Sequence, residues 1–470
     1  MSVAVTPSAG TPTALTPRLR LVLVLLLAAQ FMLAVDFSIL NVALPVIGAG
    51  LGFPLAHLQW IGTSFALCAA GFTLLFGRVA DLFGRRRIFL GGLVVLAAAS
   101  LAGGLAQSPG MLIAARVCQG LATAAVTPAG LSLLTTSFPQ GPLREKALGL
   151  NGALMSAGFT TGAILGGLLT DLLSWRWSFF VNVPVALAVL LVAPAVIAES
   201  RPEERPKLDV PGAVTVTFGL LAVVLGLTQA GEHGWGAPAT LVPLAAGAVL
   251  LPAFLAVERR VPAPLVPLDV LGKRSVAWGN VVGLVAFLTE TSLVFLLTLY
   301  LQEVLGFSPS AAGLSFGVLG AGTVVGGSVA PRLIGRFGAP RAILAGGLVQ
   351  ALFTAALLGL GTGRSSLWLL LAATFAGGVG NMLVIVGFMV TATSGLADHE
   401  QGLATGLTTM TQQIGITMGT PVMSAVATAA VSGTGAVAVL GGLRTAIAVN
   451  AAVVLLGTLT GGLFLRRGTR

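Results

Sequence analysis

The stretch Leu21–Ile47, LVLVLLLAAQFMLAVDFSILNVALPVI, constrains this chain more than any other. Its 27 residues, at about 1.5 Å of helix each, exceed a hydrocarbon core of about 30 Å, so it spans a bilayer with some tilt. One acid, Asp36, stands near its midpoint. On insertion scales a charge at that depth costs about 2.5–3.5 kcal/mol, so the default reading of such a residue is functional. The plainer alternative is a carboxylate held only by a partner on a neighbouring helix.

Asp36 has a counterpart. Leu51-Gly52-Phe53 recurs as Leu305-Gly306-Phe307, an offset of 254, and the same offset carries Asp36 onto Glu290 inside the apolar run Val276–Leu301. Gly84 and Arg87 match Gly338 and Arg341 at 254, while Ala147, Gly149, Gly158 and Gly162 match Ala404, Gly406, Gly415 and Gly419 at 257. A near-constant offset over most of a half-chain marks a duplication, with one acid at the same place in each copy.

Only 9% of residues are charged and 56% are hydrophobic, against roughly 25% charged in soluble domains. Fourteen spans are expected: Leu21–Ile47, Ile61–Phe76, Ile88–Ala106, Met111–Thr136, Ala147–Leu169 and Phe179–Ala198, then Gly212–Thr228 and Leu241–Val257. The remaining six are Val276–Leu301, Ala311–Ala330, Ala342–Leu360, Leu367–Thr391, Leu403–Ala429 and Thr445–Leu465. With the N-terminus in the cytoplasm, Arg176, Arg364 and Arg444 lie outside and Arg116 lies within a span. All others of the 25 Lys and Arg fall in inner loops, so both termini are expected in the cytoplasm. The net charge of +10 is therefore an orientation signal facing anionic lipid and gives no reason to expect nucleic acid as a partner. Cys68 and Cys118 fall within spans as small buried hydrophobes, without a disulfide.

The expected organisation is an N-terminal tail (1–20), a six-helix bundle (21–198), linkers with two extra helices (199–275), a second six-helix bundle (276–465) and a short tail (466–470). Removing the extra pair leaves six spans and six. That pair has no interior charge and is read as lipid-facing structure. The charged linker Glu199–Val210, ESRPEERPKLDV, closes the first half.

Several motifs carry chemistry. GRVADLFGRRR, Gly77–Arg87, is an inner loop whose glycines turn tightly and whose Asp81 can pair with a base or cap a helix. Its second copy has Pro331 where the acid is expected. Arg116 with Gln119-Gly120 lies near one end of its span, and two readings are open: a snorkelling anchor or a paired functional base. Gly158, Gly162 and Gly166 form a flat strip where a neighbouring backbone can approach. Trp175-Arg176-Trp177 begins an outer aromatic belt, with Arg176 able to pair with Asp171. Asn381, Gln412 and Gln413 can hydrogen-bond cargo or equally another helix. His57, His233 and His399 lack metal-ligand spacing, and no Walker-type stretch is present, so no nucleotide, metal or catalytic set is expected.

Together these strings resemble the major facilitator superfamily, and Asp36-Phe-Ser-Ile-Leu-Asn41-Val-Ala-Leu-Pro45 with Trp175–Pro184 resembles its fourteen-span drug:proton antiporter branch. The resemblance covers the chain from about Ala28 onward. It implies an all-α integral membrane protein with the major-facilitator fold, two six-helix bundles plus two extra central helices. It implies proton coupling through Asp36, Glu290 and Arg116, and a gating loop at Gly77, Asp81, Gly84 and Arg85. In that family Arg-x-x-Gln-Gly marks the fourth helix. The glycine strip resembles the antiporter signature, with Ala163 where proline is usual.

The expected function is proton-driven export of hydrophobic or cationic drugs across the cytoplasmic membrane, by a monomer without cofactor or enzymatic activity. Met32, Asn41, Gln119, Asn381, Gln412 and Gln413 are the candidate cargo contacts. A nutrient symporter and a non-transporting membrane sensor or scaffold are the competing readings.

Overall fold

The computed structural model describes residues 16–53, 57–138, 142–200, 209–261, 264, 268–394 and 398–466, with some side chains within these ranges left out. The N-terminal tail before residue 16, most of the Glu199–Val210 linker, part of the second linker and residues 467–470 lie outside the described residues.

The first half contains α1 (Pro17–Leu51), α2 (Gln59–Phe83), α3 (Arg85–Gly104), α4 (Pro109–Ser137) and α5 (Pro142–Leu172). A single turn, α6 (Trp177–Phe180), leads into α7 (Asn182–Val196). The extra pair is α8 (Val210–His233) and α9 (Pro238–Glu258), followed by the short α10 (Leu268–Leu271). The second half is α11 (Arg274–Leu299), α12 (Pro309–Phe337), α13 (Ala339–Ala356), α14 (Ser366–Thr393), α15 (Asp398–Ala430) and α16 (Ala436–Arg466). A π-helical turn, Tyr300–Val304, extends α11. Hydroxyl-proline pairs start three of these helices: Thr16-Pro17, Ser108-Pro109 and Ser308-Pro309 each cap with the hydroxyl and pre-set the first φ with the proline.

The duplication read from the sequence reappears as matched backbone. Gly52 and Gly306 turn at φ +74° and +65°, and Gly84 and Gly338 at +109° and +83°. These are conformations that a Cβ disfavours, which explains why glycine recurs at the repeat offset. Helix pairing repeats too: α1 packs on α5 as α11 does on α15, and α3 packs on α7 as α13 does on α16.

The halves meet unequally at their two ends. At the end where α1 turns toward α2, one apolar cluster runs from Ile39, Ile47, Leu58 and Phe179 across to Leu297, Leu301, Phe316 and Ile447. Three polar ties cross there: Gln302 Nε2 to Val42 O at 2.7 Å, Thr417 Oγ1 to Ala66 O at 3.0 Å, and Ser310 to Asp171. Toward the other end each half keeps its own core, around Leu26, Phe89 and Phe138 in the first and Ile343 and Phe388 in the second. A smaller cluster through α8, with Val216, Val276 and Leu407, is the apolar bridge found among the described residues at that end.

Of fourteen expected spans, twelve helices among the described residues are long and apolar enough to cross a bilayer, and the bent α2 raises the number to thirteen. The remaining one, α15, is diluted by Thr408, Thr409, Thr411, Gln412 and Gln413. The extra pair is not simply lipid-facing: α9 is mostly exposed, but Leu221 of α8 sits on Gly71, Thr217 donates to Gly71 O at 2.7 Å, and Leu220 and Val224 meet Ile414 and Met418 of α15. Cys118 is exposed, whereas Cys68 is buried as expected.

Candidate functional site

α1 and α5 approach closely because glycine lets them. A Cβ on Gly162 would lie 2.7 Å from Val35 O, and one on Gly158 would lie 2.8 Å from Ala34 Cβ. The glycine strip thus presses the middle of α1 inward and buries Asp36 completely. Gly120 does the same for α4 and α2, since a Cβ there would strike Phe65 O.

Arg116 on α4 is 1% exposed, so it does not snorkel. Its Nη1 lies 3.2 Å from Asp36 Oδ2 and donates to Gln119 Oε1 at 2.9 Å, while Nε donates to Ile61 O at 2.9 Å. The guanidinium also lies over the Phe65 ring, 4.1 Å from its centre. Gln119 Nε2 donates to Asp36 Oδ1 at 3.3 Å and to Ser100 Oγ at 2.8 Å. Asn182 at the start of α7 donates to the same Oδ1 and lies 3.4 Å from Ser100 Oγ.

Two opposite charges are therefore held out of water by five helices and satisfied by hydrogen bonds. Such a pair is costly to desolvate and costly to break: removing one partner typically costs about 3–5 kcal/mol. Chemically, the cluster is a carboxylate whose release from a fixed cation requires a proton or a rearrangement.

Of the candidate residues, the structure brings Asp36, Arg116 and Gln119 together, with Gln119, expected as a cargo contact, bonded to both members of the ion pair. Sequence reasoning missed Asn182 and Ser100. Asn182 follows the Trp175–Trp177 belt in the chain, and an amide beginning an apolar helix is the signal available for it. Ser100 has none. Although it stands in an apolar run, the Asp36 carboxylate is surrounded by amides and a guanidinium. Met32, expected as a cargo contact, packs in the apolar core of the first half. Asn41, Gln412 and Gln413 are half-buried and do not join the cluster. Arg176 does not pair with Asp171; it donates to Gly104 O at 2.9 Å and Ala106 O at 2.6 Å and stacks on Trp175.

In the second half Glu290 lines a cavity of about 20 Å³ together with Leu297, Gln350, Thr354, Ala373, Thr374 and Asn381. Drug-sized ligands occupy roughly 300–1,000 Å³, so this space does not hold one.

The inner loop is organised by acids. Asp81 pairs with Arg85 at 2.9 Å, and Arg85 Nη1 reaches Ser200 Oγ at 3.2 Å. Glu199 Oε1 accepts from Arg86 N at 3.0 Å, capping α3 at its positive end. Gly77 rests against Pro128. The partners of Asp81 and Arg85 named here all belong to the first half.

Two helical bundles related by duplication, with a sealed ion pair at the heart of one, define a membrane transporter built for alternating access. The chain belongs to the Major Facilitator Superfamily, whose family profile matches residues 26–420. It is 42% identical to the cephamycin export protein CmcT of Amycolatopsis lactamdurans, over 87% of this chain and 85% of that protein. It is 40% identical to the puromycin resistance protein pur8 of Streptomyces alboniger, over 87% and 82% of the two. Its fold is similar to the crystal structure of an auto-inhibited POT family peptide transporter, with a TM-score of 0.68 at 15% identity, covering 95% and 97% of the chains.

Proposed function

We propose that this chain exports small hydrophobic or cationic antibiotics across the cytoplasmic membrane in exchange for protons. The observation that carries the reading is the Asp36–Arg116 pair, 3.2 Å apart and sealed from solvent. A proton arriving on Asp36 removes the attraction that holds Arg116. Loss of the proton restores it, so the pair couples protonation to the packing of α1 against α4. The relatives named for cephamycin export and puromycin resistance support efflux as the direction and antibiotics as the cargo.

In this reading the chain crosses the membrane fourteen times, α15 included, with both termini in the cytoplasm. The polar flank of α15 then faces the path between the halves rather than lipid. The shared apolar cluster closes the outer end, and the conformation is inward-facing. Asp81 and Arg85, now engaged within their own half, become available to the other half when the inner end closes.

The test is growth of an efflux-deficient host on a panel of antibiotics and dyes, paired with substrate accumulation in inverted membrane vesicles. Export predicts resistance to some of the panel and proton-dependent uptake into inverted vesicles. Resistance to none of the panel, with uptake in right-side-out vesicles instead, would overturn it in favour of import.

A further inference from the structure

The duplication conceals a difference of one residue. Within the bundles, Gly158 and Gly162 of α5 press on Phe31 O and Val35 O of α1, and Gly415 and Gly419 of α15 press on Leu284 O and Leu288 O of α11. These contacts set an offset of 253 between α1 and α11 and bring Thr289, not Glu290, opposite Asp36. Past the helix ends the offset is 254, since Gly52 and Gly306 make the same left-handed turn. The second half therefore holds one residue more between these points.

Hydrogen bonds locate it. Phe53 N donates to Gly48 O, five residues back, at 2.9 Å, whereas its counterpart Phe307 N donates to Leu301 O, six back, at 2.9 Å. The π-helical turn Tyr300–Val304 overlaps that interval, closed by Leu305 N on Tyr300 O at 3.1 Å. A turn bonded from i to i+5 accommodates one extra residue, and such turns recur at functional sites.

The turn carries Gln302 across to the first half. Its Nε2 donates to Val42 O at 2.7 Å, and among the described residues this is the hydrogen bond that joins α1 to the second half. Tyr300, fully buried, fixes the start of the turn to its own half by donating to Gly361 O at 2.7 Å. The acceptor lies in the weakest turn of α1: Pro45 has no N–H for Asn41 O, and its ring crowds that carbonyl. Val42 stands six residues, about 9 Å of helix, beyond Asp36.

We propose that Gln302 is the tie that holds the closed end shut, carried by the one-residue insertion in α11 onto the turn of α1 that Pro45 loosens. The bond exists only while the halves are together at this end, so it stabilises the closed arrangement and is given up on opening. The apolar cluster around it is non-directional and does not by itself fix where α1 meets α11. Cargo and direction of transport do not enter, so the inference goes beyond the efflux reading, and its test requires no transport.

The test reads opening as alkylation of a cysteine at the seam. Ala163→Cys, at a position buried in the shared apolar cluster, is introduced into the full chain with Cys68 and Cys118 replaced by alanine. Its reaction with a membrane-impermeant maleimide is followed in lipid vesicles, where the rate is proportional to the fraction of time that this end is open. Gln302→Met keeps the length of the side chain and removes the donor. It is expected to raise the rate about fivefold, equivalent to about 1 kcal/mol, the typical net contribution of one hydrogen bond. Gln302→Glu, which sets an acceptor against Val42 O, should raise it at least as much. Ala122→Cys, in the separate core of the first half, reports general loosening and should keep its rate in both variants. Combined with Pro45→Ala, Gln302→Met should raise the Ala163→Cys rate by less than the product of the separate effects, because both act on one contact. An unchanged Ala163→Cys rate in Gln302→Met, an equal rise at Ala122→Cys, or fully multiplicative effects with Pro45→Ala would each overturn the proposal.

Discussion

Arg116 faces only one oxygen of Asp36: its Nη1 lies 3.2 Å from Oδ2, while the amides of Gln119 and Asn182 share Oδ1. The division matters because a proton placed on Oδ2 removes the ion pair without disturbing the amides. Coupling can then act on α4 while α7 keeps its hold on α1.

Substitutions at this pair are expected to separate stability from transport. Asp36→Asn leaves Arg116 buried without its counter-charge, and Arg116→Ala leaves Asp36 so; each is expected to cost about 3–5 kcal/mol and all proton-driven efflux. The double variant Asp36→Asn/Arg116→Gln has no buried charge, so its unfolding temperature should recover substantially while efflux stays absent. Arg116→Lys keeps the charge but loses the fork that reaches Ile61 O and Gln119 together, and partial efflux is expected. Thermal unfolding and proteoliposome efflux, measured on the same preparations, check all four. Efflux by the double variant would remove the pair from the coupling step.

The seam between the halves invites a second prediction. A Cβ on Gly313 of α12 would lie 2.6 Å from Ala163 O of α5, and backbone cannot move aside as a flexible side chain can. Gly313→Leu should therefore push the two helices apart at the end that is now closed. Spin labels replacing Asp171 and Ser310, which bond across this seam, should report a longer distance in the variant. An unchanged distance distribution in a folded Gly313→Leu protein would show that the seam does not control closure.

A third concerns the loop between α2 and α3. Gly84 holds φ at +109°, and a Cβ there would lie 2.8 Å from the Glu199 carboxyl carbon. Gly84→Ala meets both a backbone penalty and a clash, whereas Glu199→Ala loses only the helix cap, worth roughly 1 kcal/mol. The unfolding temperature is expected to fall more for Gly84→Ala than for Glu199→Ala. The reverse order would mean that the carboxylate does more than cap.

How much of this was legible in the sequence depended on whether a feature is carried by local pattern or by long-range packing. The spans follow from apolar run length, and the duplication follows from glycines such as Gly84 and Gly338, whose backbone angles forbid easy replacement. Asp36 and Arg116 were visible because a charge in an apolar run is rare. Their pairing was not, since 80 residues separate them and only packing sets the distance. Asn182 and Ser100 are ordinary residues until tertiary structure aims them at one carboxylate. The Glu290 cavity was invisible for the opposite reason: Ala373, Gly377 and Gly378 on its wall announce nothing until the space they leave is seen.

The extra helices also read differently once packed. Excising Val210–Glu258 leaves both termini on one side, yet it strips Leu221 from Gly71 and Val224 from the α2–α15 groove. The deleted chain is expected to accumulate poorly and to unfold at a lower temperature, with residual efflux per folded molecule. Exposed positions on α9, such as Val242 and Val249, should tolerate alanine with changes within about 0.5 kcal/mol. Normal accumulation of the excised protein would show that α8 does not seal the seam.

The last prediction concerns the electrical work done on cationic cargo. One proton moving inward is driven by about 2.3 kcal/mol per 100 mV and about 1.4 kcal/mol per pH unit. Exchanged for a neutral molecule, it delivers both contributions. Exchanged for a monovalent cation, it moves no net charge, so the voltage contribution cancels and about tenfold accumulation per pH unit remains. Two protons per cation restore one net charge and with it the voltage drive, and Glu290 is the second acid able to carry the extra proton. Glu290→Gln is therefore expected to export a neutral substrate normally, and to export a cationic one only in response to the pH gradient. Membrane potential and pH gradient are imposed separately on proteoliposomes loaded with one or the other substrate. If cation efflux by Glu290→Gln keeps the voltage dependence of the unaltered protein, the second proton is not carried by Glu290, and Asp36 alone serves exchange.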